Sequence, residues 1–257
     1  MNGTVYLVGA GPGAADLLTV RAANLLARAD IVFHDALVHP DTLALATRAE
    51  KVAVGKRCGR HSTAQRFISK RLVDAARAHP IVIRLKGGDP MLFGRAQEEI
   101  DALEAAGVRY EVVPGITAAL AAAADLRTSL TQRGDVRSFA FATPRVGDGE
   151  PASRWLDSML GADAGAIYMG SHEAAAIAAA LIDGGRRAET PVAIVEGASL
   201  PGRRIIYTTL GGLSTAVTRE RFDGPTLLLM GPQFRARARD VGAGDAHPGS
   251  MPLEARG

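Results

Sequence analysis

Short apolar runs alternate with longer segments of helical period through the first half of the chain. The apolar runs predict strands at Val5–Val8, Ile31–Phe33, Val52–Val54, Ile81–Leu85 and Glu111–Val113. The segments between them place apolar residues every three or four positions, as an amphipathic helix does. This alternation of strands and helices predicts an α/β fold with a doubly wound parallel sheet.

The pattern changes after Ala118–Ala124, an alanine-rich segment that predicts a helix with close neighbours. Too few residues separate two of the later strands for a helix to lie between them, so we expect those two strands to form an antiparallel pair. The second sheet is therefore predicted to be mixed. Its predicted strands are Ser138–Ala142, Ala166–Met169, Pro191–Val195, Arg204–Thr209 and Thr226–Met230, the antiparallel pair being the third and fourth.

These two patterns predict two α/β domains, a parallel N-terminal one and a mixed C-terminal one. We place the N-terminal domain at residues 1–116 and the C-terminal domain at residues 117–234. From Arg235 onward, alternating Arg and Ala give way to Gly, Pro, Asp and Ser without an apolar period. This composition predicts a disordered tail over residues 235–257.

The composition predicts a soluble cytoplasmic protein. Hydrophobic residues make up 47% of the 257 residues, enough for a full core, yet no apolar run approaches the roughly 18 residues of a membrane span. The first strand begins almost at the amino terminus, so we expect no signal peptide. The single cysteine, Cys58, excludes internal disulfides and a cysteine-only metal site, and no metal site is predicted.

The formal net charge of +3 is compatible with two kinds of partner. Nucleic acid is one explanation of a basic chain. The arginines are scattered, however, and aromatic residues, which would stack on bases, make up only 5% of the chain. A small polyanionic substrate explains the charge equally well, because guanidinium groups bind carboxylates through two hydrogen bonds. We therefore expect a small-molecule substrate and no nucleic-acid partner.

A glycine-rich loop follows the first predicted strand. The sequence Gly9–Ala14 nearly fits the dinucleotide fingerprint, and Asp35 stands at the end of the second strand. An NAD-dependent oxidoreductase is therefore one interpretation. Pro12 counts against it, since proline lacks the backbone donor that a pyrophosphate would need there. The loop alone is compatible with a nucleotide or nucleoside site and with a structural tight turn.

A second glycine loop follows the strand at Ile81–Leu85. Gly87–Pro90 lies at the carboxyl edge of the predicted sheet, where α/β folds bind small ligands. Adjacent glycines let a ligand touch backbone that a Cβ would block. Lys86 and Arg95 flank this segment and are predicted to make the loop cationic. The alternative is an ordinary Gly-Pro turn with solvated charges.

Six loops, each at the end of a predicted strand, form a combination more specific than any one of them. In chain order they are Val8–Gly13, His34–Val38, Gly55–Ser62, Arg84–Arg95, Val113–Ala118 and Tyr168–Gly170. The series resembles the tetrapyrrole (precorrin) methylase family over about residues 4–232. Its Gly-Gly-Asp-Pro and Lys-Arg loops are most similar to those of the family members that methylate uroporphyrinogen III.

The resemblance implies two α/β domains with S-adenosylmethionine bound in the cleft between them, and a homodimer. Most residues that match donor-binding positions of the family lie in the glycine loops, which permit close backbone hydrogen bonding. For two of them, Leu92 and Met169, which would cover the adenine, plain core packing is the alternative. The full set is Pro12, Gly87, Gly88, Asp89, Leu92, Thr117, Ala118, Met169 and the backbone near Ala198.

The resemblance also implies roles on the acceptor side of the site. Asp35 and Lys56 match the positions of the proton acceptor and the proton donor. Arg95, Glu98 and Arg133 match polar positions over the substrate. The alternatives are that Asp35 caps the next helix, that Lys56 binds a substrate carboxylate, and that Arg95 and Glu98 form a surface ion pair.

The activity that the resemblance implies is methylation of uroporphyrinogen III at C2 and C7, giving precorrin-2 on the way to sirohaem, cobalamin or haem d1. This substrate is a tetrapyrrole polycarboxylate, and the basic residues at 56–60, 84–86, 95 and 133 would face its carboxylates. The length leaves no room for the dehydrogenase-chelatase module that is fused to some relatives, so we expect methylation only.

Three positions on the acceptor side depart from the family pattern. Ala36 replaces an arginine, and Gln132 and Arg145 each replace a histidine. These departures motivate two further alternatives, another precorrin C-methyltransferase of the cobalamin pathway and a non-catalytic binding module. The pathway, the order of the two methylations and the dimer geometry stay open at this point.

Overall fold

A computed structural model of the chain describes residues 3–54, 62–146 and 153–236. Within these ranges the chain forms two five-stranded sheets, each covered by helices. The arrangement confirms the predicted α/β class and its division into a parallel and a mixed sheet. Lys56 and residues 237–257 of the predicted tail lie outside the described residues.

The first sheet is parallel throughout, with the order β3-β2-β4-β1-β5. The central strands β1 and β4 end together, because Gly9 is paired with Lys86 in their register. Its strands are β1 (Thr4–Gly9), β2 (Ile31–His34), β3 (Glu50–Ala53), β4 (Ile81–Lys86) and β5 (Arg109–Val113).

Helices cover both faces of this sheet, as the double winding requires. On one face Leu7, Phe33 and Val82 pack with residues of α3 (Ser62–Ala78) and α4 (Ala96–Ala105). The opposite face packs against α1 (Val20–Arg28), and the short helix α2 (Pro40–Ala44) follows β2.

The second sheet is mixed, with the order β6-β7-β10-β8-β9. The pair β6–β7 is parallel and the other pairs are antiparallel, which includes the predicted β8–β9 pair. Its strands are β6 (Phe139–Ala142), β7 (Ala164–Tyr168), β8 (Pro191–Glu196), β9 (Arg204–Thr209) and β10 (Thr226–Met230).

Two cores flank the second sheet. The alanine-rich helix α5 (Ala118–Asp125) packs through its small side chains against one face of the sheet, together with Phe234. The other face packs against the helices α6 (Trp155–Gly161), α7 (Ala174–Asp183) and α8 (Leu213–Glu220). Because α5 follows β5 directly, the chain passes from the first sheet to the second between residues 113 and 118.

The first helix begins later than its apolar pattern suggests. Asp16, a residue of a type that often caps helices, lies in a 3-10 turn at Ala15–Leu17. The true cap is Thr19, whose hydroxyl accepts a hydrogen bond from the amide of Ala22 at 3.2 Å. A threonine at the N-cap satisfies an amide that the first helical turn leaves unpaired.

None of the helices in the described part of the chain is long and apolar enough to cross a membrane.

Candidate functional site

The loops after β1 and β4 are joined by backbone hydrogen bonds at the carboxyl edge of the first sheet. The amide of Gly88 donates to the carbonyl of Gly11 at 2.7 Å, and the amide of Gly11 donates to the carbonyl of Gly88 at 3.2 Å. The amide of Ala10 also donates to the carbonyl of Lys86 at 2.7 Å. The two predicted glycine loops therefore form one continuous surface.

The loop after β5 lies against both of them because the contact points are glycines. A Cβ on Gly9 would stand 2.6 Å from the Cα of Gly115, a separation that real Cβ atoms do not adopt. Any larger residue at these two positions would push the loops apart.

Gly88 combines an unusual backbone conformation with an open side. Its φ of 67° lies in the left-handed region that glycine adopts without strain. The nearest heavy atom to an added Cβ would be the Cα of Thr117, at 3.9 Å. A ligand can thus approach the Gly88 backbone in the space between the loops after β4 and β5.

Asp89 ties the same two loops together. One carboxylate oxygen accepts from the amide of Met91 at 2.8 Å, and the other accepts from the amide of Gly115 at 2.9 Å. Leu92 is half-buried on the following turn, and its amide donates to the carbonyl of Asp89 at 3.3 Å. Asp89 therefore shapes the cleft, whatever it contacts in a ligand.

Tyr168 connects this edge with the second sheet, and the sequence did not single it out as a site residue. Its hydroxyl lies 2.7 Å from the hydroxyl of Thr117 and accepts from the amide of Ala119 at 3.2 Å. Its ring lies 5.2 Å from that of Phe93, centroid to centroid. Burial raises the pKa of Tyr168, so its hydroxyl keeps its proton near neutral pH. The only sequence signal was its place beside Met169 in the Tyr-Met-Gly segment.

The loop after β8 closes the opposite side of the cleft. Ala198 is buried, and the hydroxyl of its neighbour Ser199 accepts from the amide of Ala14 at 3.0 Å. This contact places the loop after β8 against the loop after β1, which carries Pro12. Met169, with a φ of 57°, is 43% exposed and directly follows Tyr168, so it is not a core residue.

The nine predicted donor residues thus lie in or beside the loops after β1, β4, β5, β7 and β8, and hydrogen bonds and close contacts join these loops. Their contacts with a methyl donor remain a prediction.

Asp35 follows β2, and its carboxylate contacts Arg84 of the neighbouring strand β4. Its Oδ1 accepts from Nη2 of Arg84 at 2.5 Å, and its side chain is 30% exposed. It does not cap the next helix, because the N-cap of α2 is His39, whose ring accepts from the amide of Asp41. The capping alternative for Asp35 is therefore wrong.

Arg84 and Lys86 belong to a buried charge cluster. Nε of Arg84 donates to Oε1 of Glu99 at 3.0 Å, and Nζ of Lys86 lies 3.1 Å from both oxygens of Glu99. Nε2 of Gln65 also donates to Oε1 of Glu99, at 3.0 Å. The side chains of Arg84 and Lys86 are 3% exposed, and that of Glu99 is fully buried.

The prediction that the basic residues at 84–86 face the substrate's carboxylates is thus corrected, and Lys86 does not make the glycine loop cationic, because Arg84 and Lys86 are buried and paired with Glu99. Burial and the nearby guanidinium of Arg84 lower the pKa of Lys86. Burial also opposes the charge of Arg84, but the carboxylates of Asp35 and Glu99 outweigh it and raise the pKa of Arg84.

Glu99 was missed, although the sequence carried a signal for it. It shares one face of α4 with the buried residues Ala96, Ile100 and Leu103. A carboxylate on the apolar face of a helix requires a partner, because burying an unpaired charge is costly. The sequence alone could not identify Arg84 and Lys86 as its partners, because they lie on β4 and their distance from α4 depends on how the helix packs on the sheet.

The remaining acceptor-side residues are more exposed. Arg95 and Glu98 form a two-point ion pair, with distances of 2.6 and 2.9 Å, and about half of each side chain is exposed. Arg133 lies at the exposed tip of the turn between Gln132 and Val136. Their contacts with a substrate remain a prediction.

A dinucleotide site at Gly9–Ala14 is not supported. The first α-helix starts only at Val20, so no helix N-terminus points at the glycine loop as the fingerprint requires. The amides of Gly11 and Gly88 are engaged with each other's carbonyls. The sheet order also differs from that of the dinucleotide-binding fold.

Residues 4–214 match the family described as Tetrapyrrole (Corrin/Porphyrin) Methylases. The chain belongs to this family, whose members are S-adenosylmethionine-dependent methyltransferases.

Among solved structures, the uroporphyrin-III C-methyltransferase from Thermus thermophilus in complex with S-adenosylhomocysteine is similar at 39% identity and a TM-score of 0.78, covering 90% of this chain and 98% of that one. A cobalt precorrin-4 methyltransferase is similar at 27% identity and a TM-score of 0.79, covering 91% and 96%.

The chain is also similar to the siroheme synthase of Azotobacter vinelandii (strain DJ / ATCC BAA-1303). The two are 44% identical over 236 residues, which cover 91% of this chain and 51% of that protein. The chain thus spans about half the length of the curated relatives that it matches.

Replacing the central carboxylate of the charge cluster should cost much stability. We expect Glu99→Gln to lower the free energy of unfolding by roughly 3–5 kcal/mol, because the buried cations Arg84 and Lys86 would then share a single carboxylate, that of Asp35. The neighbouring Glu98→Gln is the matched control and should cost less than about 1 kcal/mol, because its ion pair is half-exposed. Denaturant unfolding followed by circular dichroism measures both values, and equally small losses would contradict the importance of the cluster.

Proposed function

We propose that the chain is an S-adenosylmethionine-dependent uroporphyrinogen-III C-methyltransferase that makes precorrin-2 by methylation at C2 and C7. The observation that carries the proposal is the 39% identity with the Thermus thermophilus enzyme over 98% of that chain's length. That enzyme was solved with the demethylated donor bound.

The donor side of the cleft supports the same proposal. The space beside Gly88 would be filled by a Cβ, and Thr117, Met169 and Ala198 lie on the neighbouring loops. These residues fit a compact nucleoside that is bound mainly through backbone. When bound, the sulfonium of the donor supplies an electrophilic methyl group to a nucleophilic pyrrole carbon.

The protein's own contribution is to position the acceptor and to remove its proton. Asp35 is the candidate base, because its carboxylate is partly exposed beside the glycine loops. Arg95, Arg133 and Lys56 are candidates for binding the carboxylates of the tetrapyrrole, with Glu98 holding Arg95 through its two-point ion pair. Orientation of the two reactants should supply much of the rate, since the reaction needs in-line attack.

Another precorrin C-methyltransferase is the second candidate. The cobalt precorrin-4 methyltransferase superposes as well as the uroporphyrin enzyme, with TM-scores of 0.79 and 0.78. Shape therefore does not separate the two functions. The higher sequence identity, 39% against 27%, favours uroporphyrinogen III as the acceptor. The departures from the family pattern at Ala36, Gln132 and Arg145 are the reason to test other acceptors as well.

The proposal extends to the organisation of the protein. We propose domains at residues 1–116 and 117–234, a homodimer and a cytoplasmic location. The domain limits are supported by the packing of α5 on the second sheet. The homodimer and the cytoplasmic location rest on the family resemblance. The methyltransferase activity is likewise proposed for the protein as a whole.

The decisive experiment is an anaerobic incubation of the purified protein with uroporphyrinogen III and S-adenosylmethionine. We expect a dimethylated product carrying the new methyl groups at C2 and C7, identified by mass spectrometry and NMR. Methylation of a later precorrin only would favour the second candidate. Donor binding without methylation of any tetrapyrrole would leave a non-catalytic binding module.

A bulky residue at Gly88 should abolish donor binding. We expect Gly88→Val to weaken the binding of S-adenosylhomocysteine roughly 100-fold or more, about 3 kcal/mol, because the side chain enters the space beside Thr117. Titration calorimetry gives the affinity.

The control for backbone strain is Gly107→Val. Gly107 has a similar φ, 64° against 67°, precedes β5 at the opposite edge of the sheet and has open space around an added Cβ. It should retain donor affinity, and equal losses in both variants would show that strain, not the site, is responsible.

A further inference from the structure

We propose that Arg84 is a positioning residue that orients Asp35 for proton removal, with Glu99 holding Arg84 in place. The inference rests on the proposed function, in which Asp35 accepts the proton that leaves the methylated macrocycle. It assigns a task to a buried cluster that would otherwise be read only as an ion pair between β4 and α4.

The guanidinium of Arg84 is fixed through all three of its nitrogens. Nη2 donates to Oδ1 of Asp35 at 2.5 Å, Nε donates to Oε1 of Glu99 at 3.0 Å, and Nη1 donates to the carbonyl of Leu85 at 3.1 Å. A planar fork bonded at three points leaves its plane little freedom to rotate. The oxygen of Asp35 that it contacts is therefore held in a defined direction.

Glu99 is in turn fixed by groups other than Arg84. Lys86 bonds both of its oxygens at 3.1 Å, and Gln65 donates to Oε1 at 3.0 Å. Lys86 and Gln65 thus hold Glu99, Glu99 holds Arg84, and Arg84 contacts Asp35. Only Asp35 among the charged members reaches the cleft, with 30% of its side chain exposed against 3% or less for the others.

The charges of the cluster balance when Asp35 is a carboxylate. Arg84 and Lys86 carry two positive charges, and Glu99 and Asp35 carry two negative ones. With Oδ1 engaged by Arg84, rotation of the carboxylate is restrained and Oδ2 is left free of this ion pair. Oδ2 is the oxygen that we assign to the departing proton.

A purely structural role and a positioning role of Arg84 should give different methylation rates in double variants. We would measure methylation of uroporphyrinogen III with a radiolabelled donor for Arg84→Gln and Arg84→Lys. Each substitution would be made in the native chain and in Asp35→Asn. If Arg84 acts through Asp35, its loss matters only while Asp35 is intact.

We expect Arg84→Gln to lower kcat roughly 10- to 100-fold in the native chain, the cost of a misplaced catalytic group, with little change in KM. Arg84→Lys keeps the charge next to Glu99 but loses the fork, so it should recover part of this loss. In Asp35→Asn neither substitution should lower kcat further. Affinity for S-adenosylhomocysteine should stay normal in all variants that fold.

Arg77→Gln serves as the matched control. Arg77 pairs with Asp74 at the exposed end of α3, which precedes β4 at the edge of the sheet away from the glycine loops. It should leave kcat unchanged.

Equal losses of kcat with and without Asp35 would overturn the inference, as would unchanged kcat in both Arg84 variants. If Arg84→Gln fails to fold, Arg84→Lys decides by the same comparison. Failure of the proposed function looks different, because the unaltered protein would then give no methylated uroporphyrinogen III.

Discussion

The close approach of Gly9, Gly88 and Gly115 is the constraint on which the cleft depends. Strands β1, β4 and β5 are adjacent and parallel, so their carboxyl ends meet at one edge of the sheet. A Cβ on Gly9 or Gly115 would collide with the other glycine and with the carbonyl of Gly88, so glycine at these two positions allows the three following loops to touch. Once they touch, hydrogen bonds between Gly11 and Gly88 and from Gly115 to Asp89 lock them into a single surface.

The two sides of the cleft are built from different chemistry. On the side proposed for the donor, backbone and small residues leave close access, and the loops after β7 and β8 of the second sheet enclose it through Tyr168 and Ser199. On the side proposed for the acceptor, charges dominate, and Asp35 supplies the one carboxylate of the buried cluster that is partly exposed. A buried ion pair is weak support for stability by itself, which makes an orienting task a reasonable explanation for keeping four charges there.

Local sequence patterns predicted most of the fold. Ten strands were expected and are present in the described residues, and the short connection between β8 and β9 correctly indicated an antiparallel pair. The start of α1 does not follow from the apolar pattern, because Leu17 and Leu18 continue that pattern in residues that are not in an α-helix.

The site was predictable only in part. Glycine loops at strand ends predicted where the loops of the cleft meet, because the reason for them is local, and the donor contacts themselves stay a prediction. The pairing of Arg84 and Lys86 with Glu99 joins a strand to a helix, so nothing near either cation indicates that it is buried. The positions of Tyr168 and Ser199 likewise depend on how the second sheet meets the first.

The most direct test of the account is a crystal structure of the protein grown with S-adenosylhomocysteine. We expect the ligand to lie at the carboxyl edge of the first sheet, against the backbone of Gly88 and between the loops that carry Thr117, Met169 and Ala198. A ligand bound elsewhere, such as in the surface groove lined by Leu120, Arg127 and Phe141, would contradict it.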